Sequence, residues 1–517
     1  MSCDADETAV GGAQSCEPGV EQACYEGPEG TQDVGACRAG VRTCLPHGRG
    51  FGPCEDAVTP DAEDCSTDED ENCDGISTCG DTLWSSRLGA DNDETVLDID
   101  SDLEGNLFAT GSYRVPFDLG GGPLTISGDS RDVFVAKRAP DGAHVWNVGI
   151  HSSENLTARA VAVSSDGRIA AGFGGRAAIT IDGGPAISSA GGNDVALVWL
   201  DAQGTPVRAA VYGDDAEQQP MSMAFDDSGD LIVTGTFRGS IDFGLGEHSA
   251  FDTQSDTFVV KLGQEGEPLW STSFYGSDDD IPRALGVDRD HGIFVAGEAQ
   301  YDLTIGDHET IGGPDRDAYL VKLDASGEVS WSHRWGDERD QEAYGLAVDD
   351  LGNVVVVGGM AGRMTVGAIE LVSPGGDGVF IVKLDGEGVV SWARVLGGGA
   401  TQRGYDVTFD SKRRIIVTGY YEGYMSIDEA PLPESGIGSP SMFVVKLEPD
   451  GKVLWSRGFS VQGDQATGGA ALGWRGLALA PDDRLWFAGF VDGPLDLGEG
   501  PLEPLGGTDV ILALLSP

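Results

Sequence analysis

DTFVVKLGQEGEPLWSTSFYG, from Asp256 to Gly276, is the stretch that decides the fold. A β-branched and aromatic run up to Leu262 meets a turn at Gly266, and a second run follows around Trp270. That pattern is two β-strands joined by a tight turn. The chain writes it again as DAYLVKLDASGEVSWSHRWG from Asp317, GVFIVKLDGEGVVSWARVLG from Gly378 and SMFVVKLEPDGKVLWSRGFS from Ser441. Weaker copies, DVFVAKRAPDGAHVWNVG and DVALVWLDAQGTPVRAAVYG, start at Asp132 and Asp194. Trp84, Trp146, Trp270, Trp331, Trp392 and Trp455 mark one slot, spaced with Arg208 at 61 to 63 residues.

A second element runs in phase with the first: a small-apolar run, a turn, a β-branched run and a closing glycine. GLAVDDLGNVVVVGG from Gly345 and SMAFDDSGDLIVTG from Ser222 are examples. The closing glycines are Gly111, Gly172, Gly235, Gly297, Gly358, Gly419 and Gly489, which makes seven copies. Each copy therefore parses into four strands: A (small-apolar), B (β-branched), C (the FVVKL run) and D (the Trp run). A fixed period with four strands per copy predicts an all-β, seven-bladed β-propeller of four-stranded antiparallel blades. A linear solenoid would need polar capping repeats, and none is visible. The ends are complementary instead. Thr82 to Gly89 is a lone D strand and Asp509 to Leu515 a lone C strand, so their pairing is expected to close the ring.

This pattern resembles the bacterial seven-bladed β-propeller repeat family over about 430 residues, through the signature DxFVVKLDxxGxxxWS. The resemblance implies the fold and no single activity.

Composition narrows the partners. The 517 residues carry a formal net charge of −54, which excludes nucleic acid and anionic membrane surfaces as natural partners. No apolar run approaches the roughly 18 residues of a membrane-spanning helix. Sustained helical periodicity is absent, and Gly supplies 79 residues.

Residues 1–80 are a separate domain, with the propeller over 81–517. All nine cysteines lie in the first domain, and few large apolar residues accompany them. Such a segment is held by disulfides or metal rather than by a hydrophobic core. CxxC pairs are missing, so disulfides among Cys16, Cys24, Cys37, Cys44, Cys54, Cys65, Cys73 and Cys79 are expected, with their connectivity open. Cys3 stands outside this even set. It reads as the lipidated cysteine of a bacterial lipoprotein whose signal peptide is missing from this chain, as a free thiol, or as the mark of a wrongly chosen start codon; MSC lacks the apolar region of a signal peptide, which counts against the first.

In EDCSTDEDENCDG, Asp68, Asp70, Asn72 and Asp74 recur at every second position, a presentation of hard oxygen ligands suited to Ca²⁺. The alternative is a solvated acidic linker. With CEPGVEQACYEGPEGTQDVGACRAGVRTC before it, this segment resembles the Cys-rich modules with a metal-binding motif found on secreted bacterial proteins. Cys65-Ser66-Thr67 departs from the Cys-Asp-Gly of that family.

The recurrent residues read first as structure. The Trp slot packs neighbouring blades together. Lys137, Lys261, Lys322, Lys383 and Lys446 lay their stems along strand C and extend their amines to a rim carboxylate; Trp199 and Leu514 take that slot in other copies. A–B and C–D connections are tight and share one face. The B–C segments, near twenty residues, and the acidic D–A loops share the other, where Asp91, Asp93, Asp214, Asp215, Asp278, Asp279, Asp280, Asp337, Glu338 and Asp340 form a candidate binding face. It would take Ca²⁺ or a cationic partner, or else be a solvated rim.

The seven histidines are scattered, and no HExxH, GxSxG, P-loop or dinucleotide fingerprint occurs. The expected function is an extracellular or cell-surface bacterial scaffold, a monomer that binds a protein or glycan without catalysis. The rival is a propeller enzyme, a metal-dependent hydrolase or lyase with residues assembled at the channel mouth.

Overall fold

The computed structural model describes residues 16–28, 30–60, 71, 73, 79–306, 308–337, 339–428, 430–435, 440–459, 476–498 and 500–517. It divides into two compact units, an N-terminal module reaching Cys79 (with Pro517) and a repeat domain of Gly80–Ser516. Among the described residues all regular structure is strand, and no helix is long and apolar enough to cross a membrane.

The third repeat shows how sequence becomes sheet. Gln218–Phe225 (A), Leu231–Phe237 (B), Asp256–Leu262 (C) and Pro268–Gly276 (D) pair as antiparallel neighbours in that order. Every residue of C is buried, which is why this strand reads as a continuous apolar run rather than an alternation. The same A-B-C-D order recurs along the chain. In the last repeat Leu477–Leu479, Leu485–Val491 and Asp509–Leu515 supply A, B and C, and Thr82–Leu88 pairs with the C strand as D. The two lone strands expected from the sequence are therefore partners, with Trp84 opposite Leu514 and Leu88 opposite Val510.

The closing glycines have a steric cause. A Cβ built on Gly358 would lie 1.9 Å from the Glu342 carbonyl oxygen, and one on Gly419 the same distance from that of Arg403. At Gly235 and Gly297 the clashes, with Gln219 and Ile281, are at 2.1 Å. In five repeats an aromatic ring of strand C fills the space beside the glycine: Phe134 faces Gly111, Phe258 faces Gly235, Tyr319 faces Gly297, Phe380 faces Gly358 and Phe443 faces Gly419, while in the last repeat Gly489 faces Ile511. Repeat 2 inverts the pair. Phe173 sits in the glycine slot opposite Ala196, and Gly172 lies one place early, opposite Leu197. The same repeat inverts a second pair: Lys faces Trp at Lys261–Trp270, Lys322–Trp331 and Lys383–Trp392, whereas Trp199 faces Arg208, their cation and ring 5.3 Å apart.

Neighbouring repeats are joined through the Trp slot and through shared core. Trp270 of repeat 3 donates its indole N–H to Ala325 O at 3.0 Å in the C–D turn of repeat 4, and Trp392 donates likewise to Pro449 O. The ring covers the turn glycine so closely that a Cβ on Gly327 would meet Trp270 at 2.7 Å. Arg208 substitutes for Trp by donating to Gly266 O at 3.0 Å. Apolar clusters span adjacent repeats; one joins Phe294 and Leu320 of repeat 4 to Val356 and Phe380 of repeat 5. Four of the five recurrent lysines reach a carboxylate in the A–B turn of their own repeat, and Lys383 donates to Pro449 O instead. Lys446 pairs with Asp410 of its own A–B turn at 2.9 Å with both side chains 1% exposed, and Lys261 pairs with Asp226 at 2.7 Å.

The B–C segments, expected as long loops, contain β-hairpins. Ser240–Asp242 pairs with Glu247–Ser249, and Arg363–Val366 with Ile369–Val372. Three such hairpins also extend the sheet of the preceding repeat: Ile179 pairs with Ser152, Ile305 with Phe274 and Ser426 with Gly397. Each covers a D-strand edge that would otherwise present unpaired backbone.

In the N-terminal module, Glu21–Cys24 pairs with Gly40–Thr43. Disulfides join Cys16–Cys44, Cys24–Cys54 and Cys37–Cys73, and Cys79 is disulfide-bonded as well. Cys3 and Cys65 lie outside the described residues. The buried apolar residues described before Gly80 are Cys37, Cys44 and Cys73, while Val20, Val41 and Leu45 are exposed. The core of this module is sulfur.

Candidate functional site

The D–A loops carry the predicted acidic residues, and hydrogen bonds occupy many of them. Asp214 accepts the Ala216 N–H at 2.7 Å, the Gln218 side-chain amide at 2.6 Å and, from the next hairpin, the Ser240 N–H at 2.7 Å. Burial would raise its pKa, but these donors outweigh it and hold the carboxyl below its ordinary value. Asp337 repeats the arrangement with the Arg339 N–H, the Gln341 amide and the Arg363 N–H. Asp279 accepts the Ser255 N–H at 2.9 Å, Asp278 the Gln254 amide at 3.2 Å, Asp340 the Arg316 N–H at 3.2 Å and Asp93 the Thr508 N–H at 3.1 Å. These loops are latches onto B–C segments. Asp91 and Asp215 are exposed.

Asp280 stands apart from the loops as the first residue of strand A in repeat 4. It is fully buried, and burial, then the Asp256 charge, pushes its carboxyl up to about 9. Glu338 and the proposed ligands Asp68, Asp70, Asn72 and Asp74 lie outside the described residues. Among the described residues, no three His, Cys, Asp or Glu side chains group as a metal site.

A second set of carboxylates escaped the sequence reading. Asp132, Asp194, Asp256 and Asp509 open strand C, are buried, and accept the N–H of Ser127, Ala190, Phe251 and Leu505 just upstream. Arg87 binds Asp509 at 2.6 Å, and His151 lies between Asp132 at 3.1 Å and Asp182 at 3.3 Å. Burial alone would lower the His151 pKa, but these carboxylates raise it.

The most distinctive side chains come from the A strands. Each described A–B pairing in repeats 1 to 6 skips one residue of A: Leu97, Arg159, Met221, Arg283, Tyr344 and Tyr405. A bulge re-aims the side chain it carries, and here several of them meet. Arg159 donates from Nε to Gln219 Oε1 of repeat 3 at 3.1 Å, and the Arg283 charge reaches it from repeat 4. Arg283 binds Glu298 through Nε at 3.1 Å and lies 5.7 Å from the Tyr344 ring centre. Arg403 donates to the Tyr344 hydroxyl at 2.6 Å and pairs with Glu342 at 2.9 Å. Arg316 also pairs with Glu342, at 2.8 Å. The Tyr344 and Tyr405 rings meet edge to face at 5.1 Å, and Tyr420 lies 5.5 Å beyond. A sequence reading aligned on the glycine slot would have found this layer, since the skipped residue stands at one fixed spacing before it. Its residue types differ from repeat to repeat, so a search for what recurs passes over it.

Two cavities flank these features. One of about 430 Å³ is lined by A–B turns of repeats 1, 4, 5, 6 and 7, including Asp102, Arg289, Asp349, Asp410 and Asp483. Another of about 280 Å³ is lined by Asp340, Glu342, Asp377, Arg339 and Arg403.

These sheets define an all-β repeat protein with propeller-like units. No family model matches the chain. It is similar to an uncharacterized WD repeat-containing protein of Acanthamoeba polyphaga mimivirus, 24% identical over 159 residues, covering 26% of this chain and 11% of that relative's length. Among solved structures it is similar to Sqt1 from Chaetomium thermophilum (TM-score 0.42, 11% identity, 85% of this chain and 99% of the other). A protein of unknown function from Dyadobacter fermentans gives 0.38 at 11% identity, covering 84% and 98%. The Pan2 WD40 domain of Neurospora crassa gives 0.33 at 12%, covering 62% and 85%. At such TM-scores these likenesses carry no functional weight.

Proposed function

We propose that the repeats close into a seven-bladed β-propeller, exported together with its disulfide-stapled module, that binds a protein or glycan ligand without transforming it. Support for closure comes from the junction of the last and first repeats. Val96, Leu107 and Phe134 share a core cluster with Trp486, Ala488 and Leu512, and the Trp84 ring lies where a Cβ on Gly142 would be, at 2.3 Å. The described disulfides belong to an oxidising compartment, which supports an extracellular or cell-surface location; a lipid anchor at Cys3 and a bacterial source are part of the same proposal. So is Ca²⁺ held by Asp68, Asp70, Asn72 and Asp74, which calcium titration of the full chain against its Asp70→Asn variant would test.

The observation that carries the binding reading is the convergence of polar, partly exposed side chains from consecutive A strands. The surrounding apolar residues are committed to packing between repeats. The test is to incubate the full chain with panels of polysaccharides and peptides and to analyse both retention and products. Saturable retention of intact ligand is expected. Shortened or unsaturated products would replace this reading with the hydrolase or lyase.

A further inference from the structure

One guanidinium of the A-strand cluster has no carboxylate partner among the described residues. Arg159, Arg283, Arg316 and Arg403 face Glu298 and Glu342, and Asp377 approaches Arg403 at 3.6 Å. Asp340 adds its charge beside Arg316, so Arg283, Arg316 and Arg403 each have carboxylates facing them, in a protein whose net charge is −54. The guanidinium left over is Arg159. Its hydrogen-bond partner is the neutral Gln219 side chain, which accepts from both Nε and Nη2, and no carboxylate pairs with it among the described residues. Arg403 contributes a second unspent donor, since its Nε is buried without a hydrogen-bond acceptor.

A half-enclosed cation without a counter-charge is costly. Burial first, and then the Arg283 charge, brings the Arg159 pKa down to about 10. An Asp or Glu in place of Gln219 would have cancelled the cost, as Glu298 does for Arg283. Gln219 instead orients the guanidinium and leaves its charge standing. A planar fork with spare donors is suited to oxyanions, which it can engage through two parallel hydrogen bonds.

We propose that the A strands of repeats 2 to 6 form an oxyanion site in which Arg159 pairs with a carboxylate or phosphate group of the ligand. Gln219 is the positioning residue, and Arg283 adds its field. The inference deepens the binding reading and rests on it: the acidic loops repel a bare polyanion, so the ligand presents one such group on an otherwise neutral or cationic body.

The test uses the full chain, with wild type, Arg159→Gln and Arg159→Lys compared. Melting is followed with sodium phosphate, with sodium acetate, and with NaCl at the same ionic strength. A bound anion stabilises by mass action, so one of the two oxyanions is expected to raise the wild-type Tm beyond NaCl, and which one does so tells phosphate from carboxylate. Arg159→Gln is expected to lose that shift entirely, yet to melt at or above wild type in NaCl alone, because an unpaired charge has gone. Arg159→Lys is expected to weaken anion binding about tenfold. No oxyanion-specific shift, a shift that persists in Arg159→Gln, or an Arg159→Gln chain that melts lower or fails to fold would each overturn the site. Equal affinity in Arg159→Lys would do so as well. If the ligand panel shows saturable binding unaffected by Arg159→Gln, the binding reading stands and the oxyanion site falls; if the panel shows no binding, the binding reading fails on its own terms.

Discussion

The N-terminal module and the repeat domain reach order by opposite routes. In the module the described buried apolar side chains are cysteines, so covalent links restrict the unfolded chain where burial contributes little. The repeat domain has no cysteine at all. Each of its sheets instead shares its core with its neighbours, so its stability is collective. A module of the first kind fails link by link, whereas a domain of the second kind fails as a whole or at an interface.

The largest effect should come from removing an interface altogether. Deleting residues 509–517 takes away the partner of both Leu485–Val491 and Thr82–Leu88, and loss of the single cooperative melting transition is expected. An unchanged transition would break the contrast between collective and local stability. Next comes Lys446→Met, which removes the nearer cation from the buried Asp410 carboxylate of the A–B turn and leaves it Arg414 at 3.8 Å. Removing one partner of a buried pair costs about 3–5 kcal/mol, read by denaturant titration. Gly358→Ala should cost about 1–3 kcal/mol, because the new methyl must displace the Glu342 carbonyl.

Asp280→Asn sharpens the comparison through pH. The folded state holds the Asp280 proton up to about 9, while the unfolded chain releases it near its ordinary value of about 4. This group's contribution is therefore complete below about pH 4 and is lost as pH rises toward the folded pKa. The variant, neutral throughout, should gain on wild type by about 2–4 °C in Tm between pH 5 and pH 8. A gap that stays constant would mean the carboxyl is ionised in place. The smallest effect on the repeat domain is expected from reduction. Dithiothreitol should abolish the protease resistance of the N-terminal module and leave the melting of the repeat domain unmoved; a fall in the latter would dissolve the distinction.

What the sequence made legible is what repeats. The Trp slot, the FVVKL strand and the complementary terminal strands could all be placed by period alone. Even the exceptions are visible as letters, Arg208 for Trp and Trp199 for Lys, although only the register shows that they face each other and exchange roles. Three features were hidden for physical reasons. The bulged A-strand residues keep a fixed spacing from the glycine slot but change type from repeat to repeat, so a search for recurring letters passes over them. The hairpins between B and C are short and rich in Gly and Pro, and they read as loops until their pairing is seen. The acidic loops display their charges in sequence but not the N–H groups that bind them, and Asp280 looks like its neighbours Asp278 and Asp279 although it is the one withdrawn into the interior.

The pairing of Thr82–Leu88 with Asp509–Leu515 also sets a clock. Arg87 and Asp509, which form the ion pair at that seam, are 422 residues apart. At about 5–20 residues per second, a ribosome needs roughly 20–80 s to make the second after the first. During that interval Thr82–Leu88 exists as an unmated edge strand, with its Trp84 uncovered. Until Asp509–Leu515 is made, the native partner of that edge is absent from the chain.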